Sequence, residues 1–164
     1  AVADASDPEA RRIASAYATA LLELRLDDAT AHVHSSALTS IRRLVNLMLS
    51  DDADPAERMQ ILKVSTAAEQ AKLTDREVFA RFLGVAMDQP GAREVLKNSK
   101  STALGAVAEG QTLHFVSRTE IAVEGMKMSK MEVLSMQQEN GVWRVLLSGD
   151  LSGMVAALEA QTRR

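Results

Sequence analysis

Cysteine is absent from this 164-residue chain, which excludes disulfides, thiolate metal sites and cysteine nucleophiles. Aromatic residues make up only 3% of the chain. No apolar run approaches the roughly 18 residues of a membrane-spanning helix, so we predict no transmembrane segment. The net charge of -3 lacks the basic excess typical of nucleic-acid binding, so we expect no nucleic-acid partner.

The residues that are present are typical of a folded protein. The hydrophobic fraction is 46% and the charged fraction 25%, and the length fits a single domain over residues 1–164. We expect a helical part at about 6–97, a β-sheet part at about 102–149 and a C-terminal helix at about 151–161. The chain begins with small residues and no initiator Met, as after removal of a secretory signal, so periplasmic or secreted and cytoplasmic locations both stay open.

Capping signals predict about five helices in all, most of them before the sheet. The first should begin at Ser6, where Ser-Asp-Pro-Glu is a capping box, and end near residues 27–28. Apolar residues at helical spacing predict a second helix over 36–49. An Asp-Pro pair at Asp54 and a further capping box at Thr74 open two more.

From Thr102 the sequence period changes from 3.6 to 2, which predicts strands. We expect them at 102–109, 113–123, 130–138 and 141–148, with MKMSK (residues 126–130) in the turn before the third. Asn140-Gly141 is a strong hairpin signal, because a type I′ turn needs two residues with positive φ. Helices followed by an antiparallel meander predict an α+β fold, with N-terminal helices packed on one face of a curved antiparallel sheet.

The order of these elements, and the sequence NGVWRVLLSGDL with Gly-x-Trp-Arg at Gly141–Arg144, resembles the nuclear-transport-factor-2-like superfamily. This cystatin-like fold includes ketosteroid-isomerase-like and polyketide-cyclase-like enzymes and many small bacterial proteins. The resemblance covers residues 6–150 and implies a cone in which the curved sheet wraps the first helix around a cavity. The long helical part and the helix after Asp150 depart from that pattern, and residues 51–73 could be a lid over the cavity or part of the core.

Six residues are candidates for lining the implied cavity: Tyr17, Phe82, Phe115, Ser117, Thr119 and Trp143. Since alternate strand residues share a face, Glu120 and Glu124 should point outward, and no catalytic residue is assigned. We therefore expect a non-enzymatic module that binds a small apolar ligand or another protein. The alternative is a cofactor-free isomerase or cyclase, which would need an inward carboxylate in an apolar surround.

Two clusters could bind metal ions, but each has a simpler interpretation. His32-x-His34 has the spacing of two ligands on an extended segment, yet no third ligand is evident. Four methionines, Met126, Met128, Met131 and Met136, offer soft sulfur for Cu(I), although strand parity puts Met131 on the other face. Methionine is more often a flexible core filler or a contact residue. We expect no metal and no cofactor, and leave copper binding by the methionines open.

Both faces of the predicted sheet carry apolar side chains. Leu134 and Met136 lie on one face of the third strand, and Met131 and Val133 on the other. One face should pack on the helices, while the other needs a cover from the terminal helix or from another subunit. We expect a homodimer through the open sheet face.

Overall fold

Seven helices precede the sheet and one follows it in the computed structural model, which describes residues 2–163 apart from the side chain of Asp150. The helices are α1 (Pro8–Leu22), α2 (Leu26–Thr30), α3 (Ser35–Met48), α4 (Pro55–Leu62), α5 (Ala67–Lys72), α6 (Asp75–Met87), α7 (Ala92–Lys97) and α8 (Gly149–Thr162). The strands are β1 (Ser99–Glu109), β2 (Thr112–Val123), β3 (Met126–Glu139) and β4 (Val142–Val145), adjacent in that order in one antiparallel sheet. The chain is therefore α+β, with N-terminal helices, a curved meander and a C-terminal helix, as the sequence predicted. The expected number of about five helices is too low.

The cap of α1 is Asp7 rather than Ser6. Its carboxylate oxygen Oδ1 accepts hydrogen bonds from the backbone N–H groups of Glu9 and Ala10, at 2.9 and 3.2 Å. Pro8 then takes the first helical position, where a missing N–H costs nothing. The predicted capping box is wrong by one residue, because the carboxylate directly before the proline reaches the first free N–H groups.

The first helix also ends earlier than predicted. Leu24 adopts a positive φ of 58°, and the N–H of Arg25 donates to the carbonyl of Ala20 at 2.8 Å. This closes α1 in the manner of a left-handed helix end. The stretch that periodicity assigned to one helix is therefore two helices, α1 and α2.

The third strand is longer than predicted, because MKMSK is part of it. The turn consists of Glu124 and Gly125 alone, with φ of 48° and 80°, and Met126 pairs directly with Val123. Asn140-Gly141 forms the expected turn between β3 and β4, with φ of 52° and 78°.

Two hydrophobic clusters meet at Tyr17. The helical core contains Ile41, Leu44, Val45, Leu62 and Val78, and α8 joins it through Val155. The sheet core contains Ala10, Ile13, Ala14, Leu113, Met136, Trp143 and Val145. Tyr17 of α1 packs against both clusters, so α1 joins the helices to the sheet.

The segment His32–His34 pairs with the free side of β4. The N–H of His34 donates to the carbonyl of Val145 at 2.8 Å, and the N–H of Val145 donates to the carbonyl of His32 at 2.7 Å. Val33 forms a parallel bridge with Val145. This pairing occupies one edge of the sheet and places the start of α3 beside it.

Replacing Asp7 by alanine should lower the free energy of unfolding by about 2–3 kcal/mol. The change removes the helix cap, and it also removes the acceptor for the indole N–H of Trp143, which donates to Asp7 Oδ2 at 3.1 Å. Asp54→Ala is the matched control, since Asp54 also precedes a proline and caps α4, and it should cost only about 1 kcal/mol. Urea unfolding at pH 7 measures both; equal losses would show that the indole hydrogen bond adds nothing.

Candidate interaction surface

The sheet has an inner face toward α1 and an outer face on the opposite side. On the inner face, Leu113, Met136 and Val145 lie side by side in register under Ile13 and Ala14 of α1. The contact with α1 covers the part of the sheet near β4. Toward the far end of the β2–β3 hairpin, α7 lies against β2.

Among the predicted aromatic cavity residues, Trp143 is buried, and Tyr17, Phe82 and Phe115 are half-buried. Trp143 belongs to the sheet core, and Phe115 and Tyr17 pack against it. Phe82 packs against the helical core. Tyr17 packs against both cores and so lies between Phe82 and the pair Phe115 and Trp143. Burial raises the pKa of the Tyr17 phenol above its ordinary value.

Ser117 and Thr119 continue along the inner face of β2, where a carboxylate meets them. Glu132 is the cross-strand partner of Ser117, and its Oε2 accepts a hydrogen bond from Thr119 Oγ1 at 2.8 Å. Sequence reasoning missed Glu132, although its alternation with Leu134 and Met136 would have placed it on this face. Thr119 is buried while Glu132 is exposed, so the carboxylate sits at the solvent boundary.

Two cavities of about 250 and 430 Å³ open at the far end of the hairpin. The smaller is lined by Ile121, Val123, Glu124, Met126 and Met128, and the larger extends from Val123 and Glu124 to α7. None of the six predicted cavity residues lines either of them.

The four methionines do not share one site. Met126 and Met128 lie exposed on the inner face, Met131 lies on the outer face, and Met136 is fully buried in the sheet core. The distribution follows the parity expected for an unbroken strand.

His32 and His34 take part in contacts that hold the local fold. The Nδ1 atom of His34 accepts the N–H of Ser36 at 3.1 Å as the cap of α3, and its Nε2 lies 3.8 Å from Glu139. The backbone of His32 pairs with β4. Within residues 2–163, no group of three or more His, Asp or Glu side chains is arranged to hold a metal ion.

The outer face carries an exposed apolar cluster, which we call the outer patch: Val107, Val116, Met131 and Val133. Val107, Met131 and Val133 are 58%, 56% and 53% exposed. Val116 lies at the centre, since it pairs with Gly105 on one side and with Val133 on the other. Contiguous exposed apolar surface with a polar rim is typical of protein-interaction sites.

Polar side chains around the outer patch are held by the sheet itself. His114 Nδ1 lies 2.7 Å from Ser135 Oγ, and Arg118 donates from its guanidinium to Ser129 Oγ at 3.1 Å. Both are cross-strand contacts between β2 and β3. The rim therefore fixes the position of one positive group and one imidazole beside the apolar cluster.

Comparisons with protein-family models, with curated proteins and with solved structures found no match for this chain. Over the described part of the chain, no helix combines the length and the apolar character needed to cross a membrane. The outer patch is consequently identified by its geometry alone.

His32 should make the stability of the fold depend on pH. Burial, and then the positive charges of Arg144 and Arg12, lower the pKa of this imidazole below its usual value of 6.5. As the pH falls below about 6.5, the unfolded chain takes up this proton more readily than the folded chain, so stability is lost. Unfolding midpoints at pH 7, 6 and 5 should fall more steeply for the wild type than for His32→Gln. Parallel pH profiles would refute this role for His32.

Proposed function

We propose that this chain is a non-enzymatic protein-interaction module that forms a homodimer through the outer face of its sheet. The observation that carries the proposal is the outer patch, whose side chains on three adjacent strands are contiguous and mostly more than half exposed. Near β4 the inner face is packed against α1, and Met126 and Met128 are exposed at its far end. The outer patch is the exposed apolar surface that spans three adjacent strands.

The terminal helix does not compete for this surface. Val155 and Leu158 attach α8 to the helical core, where it packs on α3. In our proposal another molecule covers the outer patch, which is the second of the two covers that the sequence left open.

A second copy of the chain matches the chemistry of the surface. Two twisted sheets pack face to face about 10 Å apart when each offers an apolar face. The rim carries both signs of charge, with Arg118 and Glu120 on neighbouring outer positions of β2. A twofold axis would bring the positive group of one copy toward the negative group of the other, which suits a self-complementary contact.

The other expected roles have less support. The resemblance to the nuclear-transport-factor-2-like superfamily stays part of the proposal, supported by α1 on the inner face of a curved sheet. Packing of Tyr17 and Phe115 against the sheet core that contains Trp143 favours protein contact over a small ligand held among them. For an isomerase or cyclase, the inward carboxylate would be Glu132, whose exposure provides no apolar surround.

Met131→Glu should halve the mass of the assembly measured by sedimentation equilibrium. The change places a charge in the middle of an apolar contact, where its desolvation is unfavourable. Met59→Glu is the matched control, because Met59 is 46% exposed on α4, away from the sheet, and its replacement should leave the mass unchanged. An unchanged mass for Met131→Glu, with folding intact by circular dichroism, would overturn the outer patch as the contact.

A further inference from the structure

The two edges of the sheet differ. The edge at β4 is occupied by the backbone of residues 32–34. The edge at β1 is eleven residues long, and no strand among residues 2–163 pairs with β1 on the side away from β2. Such an edge presents a row of backbone donors and acceptors that another strand can use.

A β-bulge at Leu104 sets which side chains of β1 share a face. Ala103 pairs with Ser117 and Gly105 pairs with Val116, so Leu104 is the extra residue. The outer-face positions of β1 are consequently Lys100, Thr102, Gly105, Val107 and Glu109, opposite alternate residues of β2. Without the bulge, Lys100 and Glu109 would lie on opposite faces, because Glu109 follows Lys100 by nine positions, an odd offset.

This pattern is self-complementary about its centre. Gly105 is the middle of the five outer-face positions, with a lysine at one end and a glutamate at the other. Two copies of β1 that run antiparallel about a twofold axis between Leu104 and Gly105 place Lys100 of each opposite Glu109 of the other. The same register places Thr102 opposite Val107 and Ala103 opposite Ala106.

We propose that a second copy of the chain pairs antiparallel with β1 in this register. The two four-stranded sheets then form one continuous eight-stranded sheet. Opposite charges directly across an antiparallel pair stabilise it, and like charges destabilise it. Lys100 is exposed opposite Glu120 of β2, and the side chain of Glu109 is 84% exposed with its Oε1 atom 3.9 Å from His114 Nε2, so both reach solvent beside the free edge.

The edge contact extends the proposed self-association without using the same surface. A dimer through the outer patch stacks two sheets and leaves each β1 edge open. Pairing at those edges joins two such dimers, so the wild type is expected to reach four copies. The edge contact is tested separately in Met131→Glu, where the outer patch is disrupted and two copies joined at β1 should remain.

The test is a charge swap followed by sedimentation equilibrium over a concentration series. In the Met131→Glu background, Lys100→Glu and Glu109→Lys should each raise the dissociation constant of the remaining dimer about tenfold, because each places two like-charged pairs across the seam. The double swap, Lys100→Glu with Glu109→Lys, should restore the dimer. Lys127→Glu changes an exposed lysine on the outer face of β3, away from β1, and should have no effect.

The outcomes separate the two proposals. A wild-type dimer that Met131→Glu converts to monomer would overturn edge pairing and leave the proposed function intact. This register would also be overturned if the charge variants left the dissociation constant of the Met131→Glu dimer unchanged, or if the double swap failed to restore that dimer. Charge-sensitive assembly that Met131→Glu leaves unchanged would support edge pairing and overturn the outer patch.

Discussion

The backbone pairing of residues 32–34 with Val145 is the contact on which the rest of the arrangement depends. It links the turn after α2 to the last strand, and His34, which takes part in it, also caps α3. The helical core and the sheet core are thereby held at one end by hydrogen bonds and at the other by Tyr17. Because buried backbone groups need partners, the four-residue β4 is stabilised from both sides.

The pairing of residues 32–34 with Val145 also determines which face of the sheet is covered by helices. With β4 fixed beside α1 and α3, the inner face near β4 becomes the sheet core, and the hairpin of β2 and β3 extends away from it. Among residues 2–163, no helix packs on the outer face, since α8 turns back onto α3. Apolar side chains at alternating positions of the same strands are therefore buried on one face and exposed on the other, which creates the outer patch.

Glu132 and the β1 bulge show how small shifts in register decide the chemistry of the sheet. Glu132 faces inward because it alternates with Leu134 and Met136 along β3. The extra residue at Leu104 brings Lys100 and Glu109 to one face of β1. In both cases one residue more or less would move a charge to the opposite face.

Local sequence determined the parts of this protein that depend on near neighbours. The Asn140-Gly141 turn, the capping box at Thr74, the helix over α3 and the alternation along β2 all follow from backbone preferences and short-range hydrogen bonds. The sequence also indicated which side chains share a strand face, and hence the separation of Met131 from Met136. Tertiary structure alone decided the pairing of residues 32–34 with β4, the contact of Asp7 with Trp143 and the side of the sheet that α8 leaves open. These contacts join residues far apart in the chain, and their free energy depends on how the whole core packs, which no local pattern records.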